Sequence, residues 1–494
     1  MIKYDVIAIG TGVGLAFINN AVSKGLKCAI IERGKFGGTC LTRGCIPSKI
    51  LLHPADIIQE VKHARKIGLN VSNINLDWKL LGERMWKKIG LSKTMEDKFT
   101  NANDFDVYKG TGEFVKNHLL KINYNDGQEP VTIFGEKIII AVGSRSRIPN
   151  IPGLDTTGYI TSETFYGDSF PKKPWKDLVI IGGGVIGVEF AHMFSSYGTN
   201  VTIVELGDKL VPKEDHEVAF HLENQFRNND IEVLLETQAL EVVKNGERKR
   251  VKIINNITQE IKYLDTDEIV IAIGVRPNLD ITKIENTDVE LDNFGWIKTN
   301  EYLETSVDNI WAIGDVNGLY QFRHKANYEM YKSINNILSP EKPKKKVNYN
   351  IVPWAIFTYP QIAHLGMTEH EALSKYDKIL IGKLNYSQVS KGYAMGFETG
   401  DSDDGFTKLI ISPEMRIIGA HIIGPHAAML IQPYIYLMSS GCILHIDGFE
   451  DSINYNYNAE KEYIFDPLQD AMVIHPSLNE IAGWTYRTLK WVTK

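Results

Sequence analysis

Gly37-Gly38-Thr39-Cys40-Leu41-Thr42-Arg43-Gly44-Cys45-Ile46-Pro47-Ser48-Lys49 contains two of the chain's four cysteines, five residues apart. On an ideal helix, residues five apart are separated by about 7.5 Å along the axis and lie on different faces. A disulfide wants Cα atoms about 4.4 to 6.8 Å apart, so a bridge between Cys40 and Cys45 would demand a bent backbone. Gly44 supplies conformational freedom and Pro47 shapes the turn that follows, as in a sequence built to permit that bend. A strained bridge is an easily reduced one.

Both leading glycines, both cysteines and the Pro-x-Lys tail are present, and the run resembles the redox-active disulfide segment of the flavin-dependent pyridine-nucleotide disulfide oxidoreductases. Within that family it is most similar to the branch that acts on dihydrolipoamide; other branches reduce glutathione, mycothione or mercuric ion. The resemblance implies an α/β fold with two Rossmann-like dinucleotide-binding domains and a C-terminal α+β dimerisation domain. It also implies Cys40 and Cys45 as the redox pair, with Gly38, Thr39 and Lys49 against the flavin.

On the N-terminal side, the apolar strand Val6 to Ile9 enters a turn at Gly10, Gly12 and Gly14, followed by a helical pattern and a second strand, Cys28 to Ile31, ending at Glu32 and Arg33. This is a βαβ dinucleotide unit: the glycines let a pyrophosphate approach the helix N-terminus, and Glu32, 22 residues after Gly10, accepts from a ribose. The competing reading is a glycine-rich turn with no ligand. The third glycine of G-x-G-x-x-G would fall at Leu15, so helix and strand are expected to pack less closely there.

On the C-terminal side, His53 to Gly68 and Trp78 to Asn101 read as amphipathic packing helices. Val107 to Ile122 reads as paired strands with Gly110 and Gly112 at a close approach. Lys137 to Ser144 is a buried strand running into Gly143; in the family it closes the flavin domain. A complete G-x-G-x-x-G follows at Gly182, Gly184 and Gly187, with a strand ending at Glu205, 23 residues beyond Gly182. A carboxylate there favours the 2′-hydroxyl of NAD over the 2′-phosphate of NADP, and Lys209 is the nearest cation. Two such motifs around a dithiol imply FAD and NAD.

The resemblance implies further roles. Glu189, just inside the second phosphate-binding helix, would pair with Lys49 beside the flavin; otherwise it is a surface glutamate. Glu268 to Asn278 closes the NAD domain at about Gly274. Asn309 to Asp315 matches the segment whose aspartate, here Asp315, binds the ribityl chain, and the run around His324 and Ala326 begins the helix beneath the flavin ring. Implied domains are 1–150 (FAD), 151–275 (NAD), 276–348 (return to the FAD domain) and 349–494 (interface).

His475 and Glu480 resemble the family's His-Pro-x-x-x-Glu pair, in which an imidazole moves a thiol proton and a carboxylate fixes its tautomer. In the family this pair reaches the disulfide of the partner subunit, which implies a homodimer sharing its active sites. The implied reaction is dihydrolipoamide plus NAD to lipoamide plus NADH, with a lipoyl domain or small dithiol as substrate. The alternatives are an NADH-dependent reductase of a low-molecular-weight disulfide and, from another class, a flavin-binding structural subunit.

Several residues depart from the pattern. Val473 stands where the dehydrogenases usually have a second histidine, and Asp447 to Asp470 reads as an insertion of about 15 residues ahead of the catalytic pair, where a loop can set specificity. Arg43 lies between the cysteines, where it could stabilise a thiolate. Cys28 and Cys442 read as packing residues. With no further cysteine pair near the C-terminus, the chemistry of mercuric reductase and of the larger thioredoxin reductases is not expected.

Composition sets outer bounds. At 494 residues the chain has room for about three domains. Its 54 Lys and Arg against 61 Asp and Glu leave a net charge of −7, which disfavours nucleic-acid binding. The start reads directly into a strand without a leader pattern, no long apolar run suggests a membrane span, and four cysteines point to a reducing cytoplasm.

Overall fold

The computed structural model describes residues 1–102, 104–444, 449, 467–468 and 471–494. The expected insertion, Asp447 to Asp470, therefore lies outside the described residues except for Phe449, Pro467 and Leu468. Among the described residues no helix is long and apolar enough to cross a membrane.

Continuous apolar runs make strands buried on both faces. Cys28–Glu32, Ile2–Ile9, Val131–Ile140 and Ile310–Ala312 lie side by side in parallel. Asp106–Lys116 pairs with Cys28–Glu32, and Leu119–Tyr124 joins Asp106–Lys116 back to Val131–Ile140. Ile310–Ala312 enters this sheet after the chain has built a second one.

That second sheet is parallel, in the order Glu268–Ile271, Asp177–Ile181, Asn200–Val204 and Glu232–Leu234, beside an antiparallel set from Thr237–Asn245 to Ile261–Thr266. The outgoing chain at Ser144–Ser146 pairs antiparallel with the returning chain at Val275–Pro277. The third unit is an antiparallel sheet of Trp354–Ile356, Gln361–Gly366, Ile417–Gly424, Phe406–Ile411, Lys378–Asn385 and Lys490–Thr493. The architecture is thus α/β with an α+β unit at its C-terminal end.

The expected helix from His53 starts earlier: a single helix runs Cys45–His63, with Pro47 in its first turn, where its missing N–H leaves no bond unmade. Pro47 therefore opens a helix rather than shaping a turn. Trp78 to Asn101 is two helices, Trp78–Ile89 and Leu91–Asn101, separated at Gly90. The helix Cys45–His63 lies along the helix Val185–Ser196, bound by Asp56 to His192 Nε2 at 2.8 Å and by Gln59 to the Ser196 hydroxyl at 2.8 Å.

Candidate active site

The two cysteines sit on separate helical turns. Cys40 is in the short turn Gly38–Thr42 and Cys45 is the first residue of the long helix, so the bend demanded by the cysteine spacing falls at Arg43 and Gly44. Gly44 has φ −141°, which is not left-handed; a Cβ there would lie 3.0 Å from the Thr39 carbonyl oxygen, and that close approach is what the glycine permits. Cys40 and Cys45 are thiols in mutual hydrogen-bond contact. That bond and burial push the Cys40 thiol up. The Cys45 thiol is pulled down to about 7, chiefly by the bond from Cys40 and then by the Lys49 ammonium, against burial.

Both thiols line a cleft of about 1140 Å³, counting its open mouth. Gly10, Gly12, Glu32, Arg33, Gly38, Thr39, Gly112, Gly143, Asp315 and Ala326 line it as well. Gly38 has φ +68°, and a Cβ on it would strike the Gly12 Cα at 2.7 Å, so the dithiol segment packs directly on the phosphate turn. A Cβ at Gly12 would project into open space, leaving the backbone amides of that turn reachable. Glu32 is held by the Thr11 amide at 2.9 Å, the Thr11 hydroxyl at 2.6 Å and the Gly34 amide at 2.7 Å.

The packing expected to loosen at Leu15 does not loosen. A Cβ at Gly14 would sit 3.3 Å from that of Ala8 and 3.5 Å from that of Ala141, so close approach of helix to strand has moved one place, to Gly14.

Lys49 Nζ lies 2.8 Å from each carboxylate oxygen of Glu189, which also accepts the Phe357 amide at 3.0 Å. The same ammonium sits 4.4 Å over the Phe357 ring. Asp315 accepts from the Ser144 hydroxyl at 2.7 Å, while burial pushes its carboxyl up. Beneath it lies a pair that sequence reading passed over. Lys325 and Glu329 are 2.9 Å apart and fully buried; Glu329 takes the Gly314 amide at 2.7 Å and Lys325 donates to the Gly314 carbonyl at 3.1 Å. The i,i+4 spacing on a helix was the available signal.

His324, Arg43 and Gly274 engage partners of their own. His324 does not line the cleft: it is exposed, and its Nε2 is 2.7 Å from the Pro353 carbonyl, because the helix turns Arg323 and Ala326 inward instead. Arg43 lines the cleft, but its guanidinium is drawn to Glu163 at 3.4 Å; the cations that pull on Cys40 are Arg323 and Lys49. Gly274, expected at the close of the NAD domain, has its carbonyl taken by the Arg147 amide at 2.9 Å.

The second nucleotide turn is separate from this cleft. The Glu205 carboxylate accepts from the Gly183 amide at 2.5 Å and the Gly207 amide at 2.7 Å. A Cβ at Gly184 would meet open space, and one at Gly187 would strike the Gly182 carbonyl oxygen at 2.0 Å.

His475 is 61% exposed at its side chain, and its Nδ1 lies 2.5 Å from the fully buried Glu480. Among the described residues nothing beyond Ala326 lines the cleft, so one chain does not bring His475 to the thiols. Val473 packs on the helix behind them, where a Cβ at Gly483 would meet its Cγ2 at 2.6 Å. Cys28 is buried in a strand, its thiol pushed up to about 12 by burial and then by Asp5.

Comparison with known proteins gives the family. Residues 4–329 match the pyridine nucleotide-disulphide oxidoreductase family and residues 352–456 match its dimerisation domain. The chain is 31% identical to a dihydrolipoyl dehydrogenase of Chlamydia muridarum, over 87% of this chain and 89% of the relative. It is 30% identical to a mercuric reductase of Bacillus cereus, over 87% of this chain and 66% of the relative. The structure of the HOCl-induced flavoprotein disulfide reductase RclA from Escherichia coli superposes with a TM-score of 0.80 at 26% identity, covering 98% of this chain and 99% of that one. FAD and NAD are the cofactors of these dehydrogenases, and the open glycine turns and carboxylates of both nucleotide sites suit them. The chain belongs to the pyridine nucleotide-disulphide oxidoreductase family, with a dinucleotide-binding region that carries the dithiol and a dimerisation domain behind it.

Proposed function

We propose that the protein is a dihydrolipoyl dehydrogenase acting as a homodimer, oxidising a dithiol and reducing NAD. The observation that carries this reading is the Cys40–Cys45 pair at the wall of the cleft, with Lys49 and Glu189 paired beside it at 2.8 Å. FAD held in the cleft supplies two-electron chemistry between the dithiol and NAD.

The chain's own residues do the rest. His475 of one subunit, fixed by Glu480, takes a proton from a substrate thiol near the cysteines of the other. The substrate sulfur attacks Cys40 of the Cys40–Cys45 disulfide, and Cys45 leaves as the thiolate that the Lys49 charge favours. The second substrate thiol then attacks the sulfur joined to Cys40, freeing Cys40 and releasing the cyclic disulfide. Glu205 selects the 2′-hydroxyl of NAD.

A second reading, reduction of a small disulfide by NADH, is favoured by Val473 in place of a histidine and by the likeness to a flavoprotein disulfide reductase over 99% of that chain. Assays of NAD reduction with dihydrolipoamide, run beside NADH oxidation with a panel of small disulfides, decide between them. Fast dihydrolipoamide turnover that collapses in Cys40→Ser supports the first reading, and brisk reduction of another disulfide with negligible lipoyl turnover supports the second.

A further inference from the structure

Away from the cleft, where the second nucleotide unit meets the C-terminal sheet, Glu214, His364 and His421 are all buried, and one ligand-capable atom of each lies within 4.8 Å of the others. His364 and His421 are register partners on adjacent strands, so the pleat puts both rings on one face. Glu214 precedes the helix His216–Asn228, on the stretch that follows Glu205.

The hydrogen bonds fix what the rings present. His364 Nε2 is 2.9 Å from the Gly366 carbonyl and His421 Nε2 is 2.9 Å from the Met367 carbonyl. A carbonyl only accepts, so each Nε2 carries a proton, and it is Nδ1 of each ring that is left to meet a ligand. His364 Nδ1 lies 3.1 Å from Glu214 Oε2, and His421 Nδ1 is buried with no partner. Glu214 is held by the Trp354 indole N–H at 2.5 Å on its other oxygen, and the indole stacks on His364 with centroids 3.6 Å apart.

Two imidazoles anchored through Nε2–H to backbone carbonyls, one with Nδ1 at a carboxylate and the other with Nδ1 buried and unpartnered, have the outer support that metal-binding histidines use. Neighbouring tetrahedral ligands at about 2.0 to 2.2 Å from one cation stand about 3.3 to 3.6 Å apart, a separation that His364 Nδ1 and Glu214 Oε2, at 3.1 Å, reach with a small outward shift. The local charge also asks for a cation. Lys408, the register partner of His421, meets Asp215 at 3.0 Å, Glu217 at 2.9 Å and Glu369 at 2.5 Å, and Lys383 meets Glu217 at 2.5 Å. With Glu214, whose backbone carbonyl accepts from Lys209 at 3.2 Å, four carboxylates face three ammonium groups, which leaves negative charge in excess.

We propose that Glu214, His364 and His421 form a binding site for a divalent cation of the zinc class, which ties the stretch after Glu205 to the C-terminal sheet. Its existence does not depend on which dithiol or disulfide the enzyme uses.

The test is equilibrium dialysis of chelator-treated holoenzyme against Zn²⁺, in a Cys40→Ser/Cys45→Ser background that removes the exposed thiols, followed by elemental analysis. Uptake of about one zinc per chain is expected, with affinity falling at least about tenfold in His364→Gln and in His421→Gln. X-ray absorption of zinc-loaded protein with the native histidines is expected to show imidazole and oxygen donors, which decides the matter even if the glutamine variants fail to fold. Folded protein that takes up no stoichiometric zinc would mean that His364 is a protonated partner of Glu214, and would overturn the proposal. So would zinc binding indifferent to both histidines, or sulfur donors at the metal.

Discussion

Lys49 Nζ lies equidistant from the two oxygens of Glu189, at 2.8 Å from each, and joins the dithiol helix to the helix of the second nucleotide turn. An ammonium held this way keeps a positive charge next to Cys45. The Glu189 carboxylate itself pushes the Cys45 thiol up. Glu189→Gln, which leaves the Lys49 charge unopposed, is therefore expected to lower the Cys45 pKa and, by freeing Lys49 from its position, to slow reduction of the flavin by dithiol about tenfold or more. Stopped-flow traces of flavin bleaching measure this; an unchanged rate would confine Glu189 to a structural part.

The reduced protein should show two classes of thiol, Cys45 exposed and Cys28 buried. Cys45 lies near 7, below the ordinary thiol, so its thiolate is present above that pH and lost as pH falls through it. Its alkylation by iodoacetamide should slow about tenfold between roughly pH 6.5 and pH 5.5. Cys28, pushed up to about 12, should remain unmodified until the chain unfolds. Peptide mapping after timed alkylation distinguishes the two.

Lys325 and Glu329 carry a structural prediction. Removing one partner of a fully buried ion pair leaves an uncompensated charge and costs about 3 to 5 kcal/mol. Lys325→Met should therefore lower the urea midpoint, and because Glu329 holds the Gly314 amide, it should also weaken flavin retention. The ratio of flavin to protein absorbance after gel filtration reports the second effect.

His475 and Glu480 lie outside the cleft of their own chain, and a shared site makes a specific demand. His475→Ala and Cys45→Ser homodimers should each lose at least about 100-fold in turnover. A hybrid dimer with one subunit of each kind should regain about half of the native activity, since a twofold dimer then has one complete site. Hybrids that stay inactive would place the pair's action within one chain.

Glu205 is held by two amides at the second turn. Glu205→Ala is expected to raise the KM for NAD about tenfold and to narrow the preference over NADP, read from initial rates with each nucleotide.

Much of this site was legible because its chemistry is written in contiguous motifs. The glycine turns, the acidic residue ending each following strand and the cysteine spacing are local features, and their backbone demands can be read one residue at a time. Where local reading failed, a distant residue had decided the outcome. Arg43 beside the cysteines is claimed by Glu163, and His324 faces away because the helix phase turns Arg323 and Ala326 into the cleft. Gly14 takes over the close approach expected at Leu15 because Ala8, in the strand Ile2–Ile9, and Ala141, just past the strand Val131–Ile140, meet there.

The sequence by itself determined the two nucleotide turns, the dithiol and the family, since each depends on residue types at short fixed spacings that only one kind of backbone satisfies. Only the tertiary structure decided which charges pair. Lys49 finds Glu189 across 140 positions, and Glu214 finds His364 across 150, because helix against helix and loop against sheet bring together groups whose separation along the chain carries no signal.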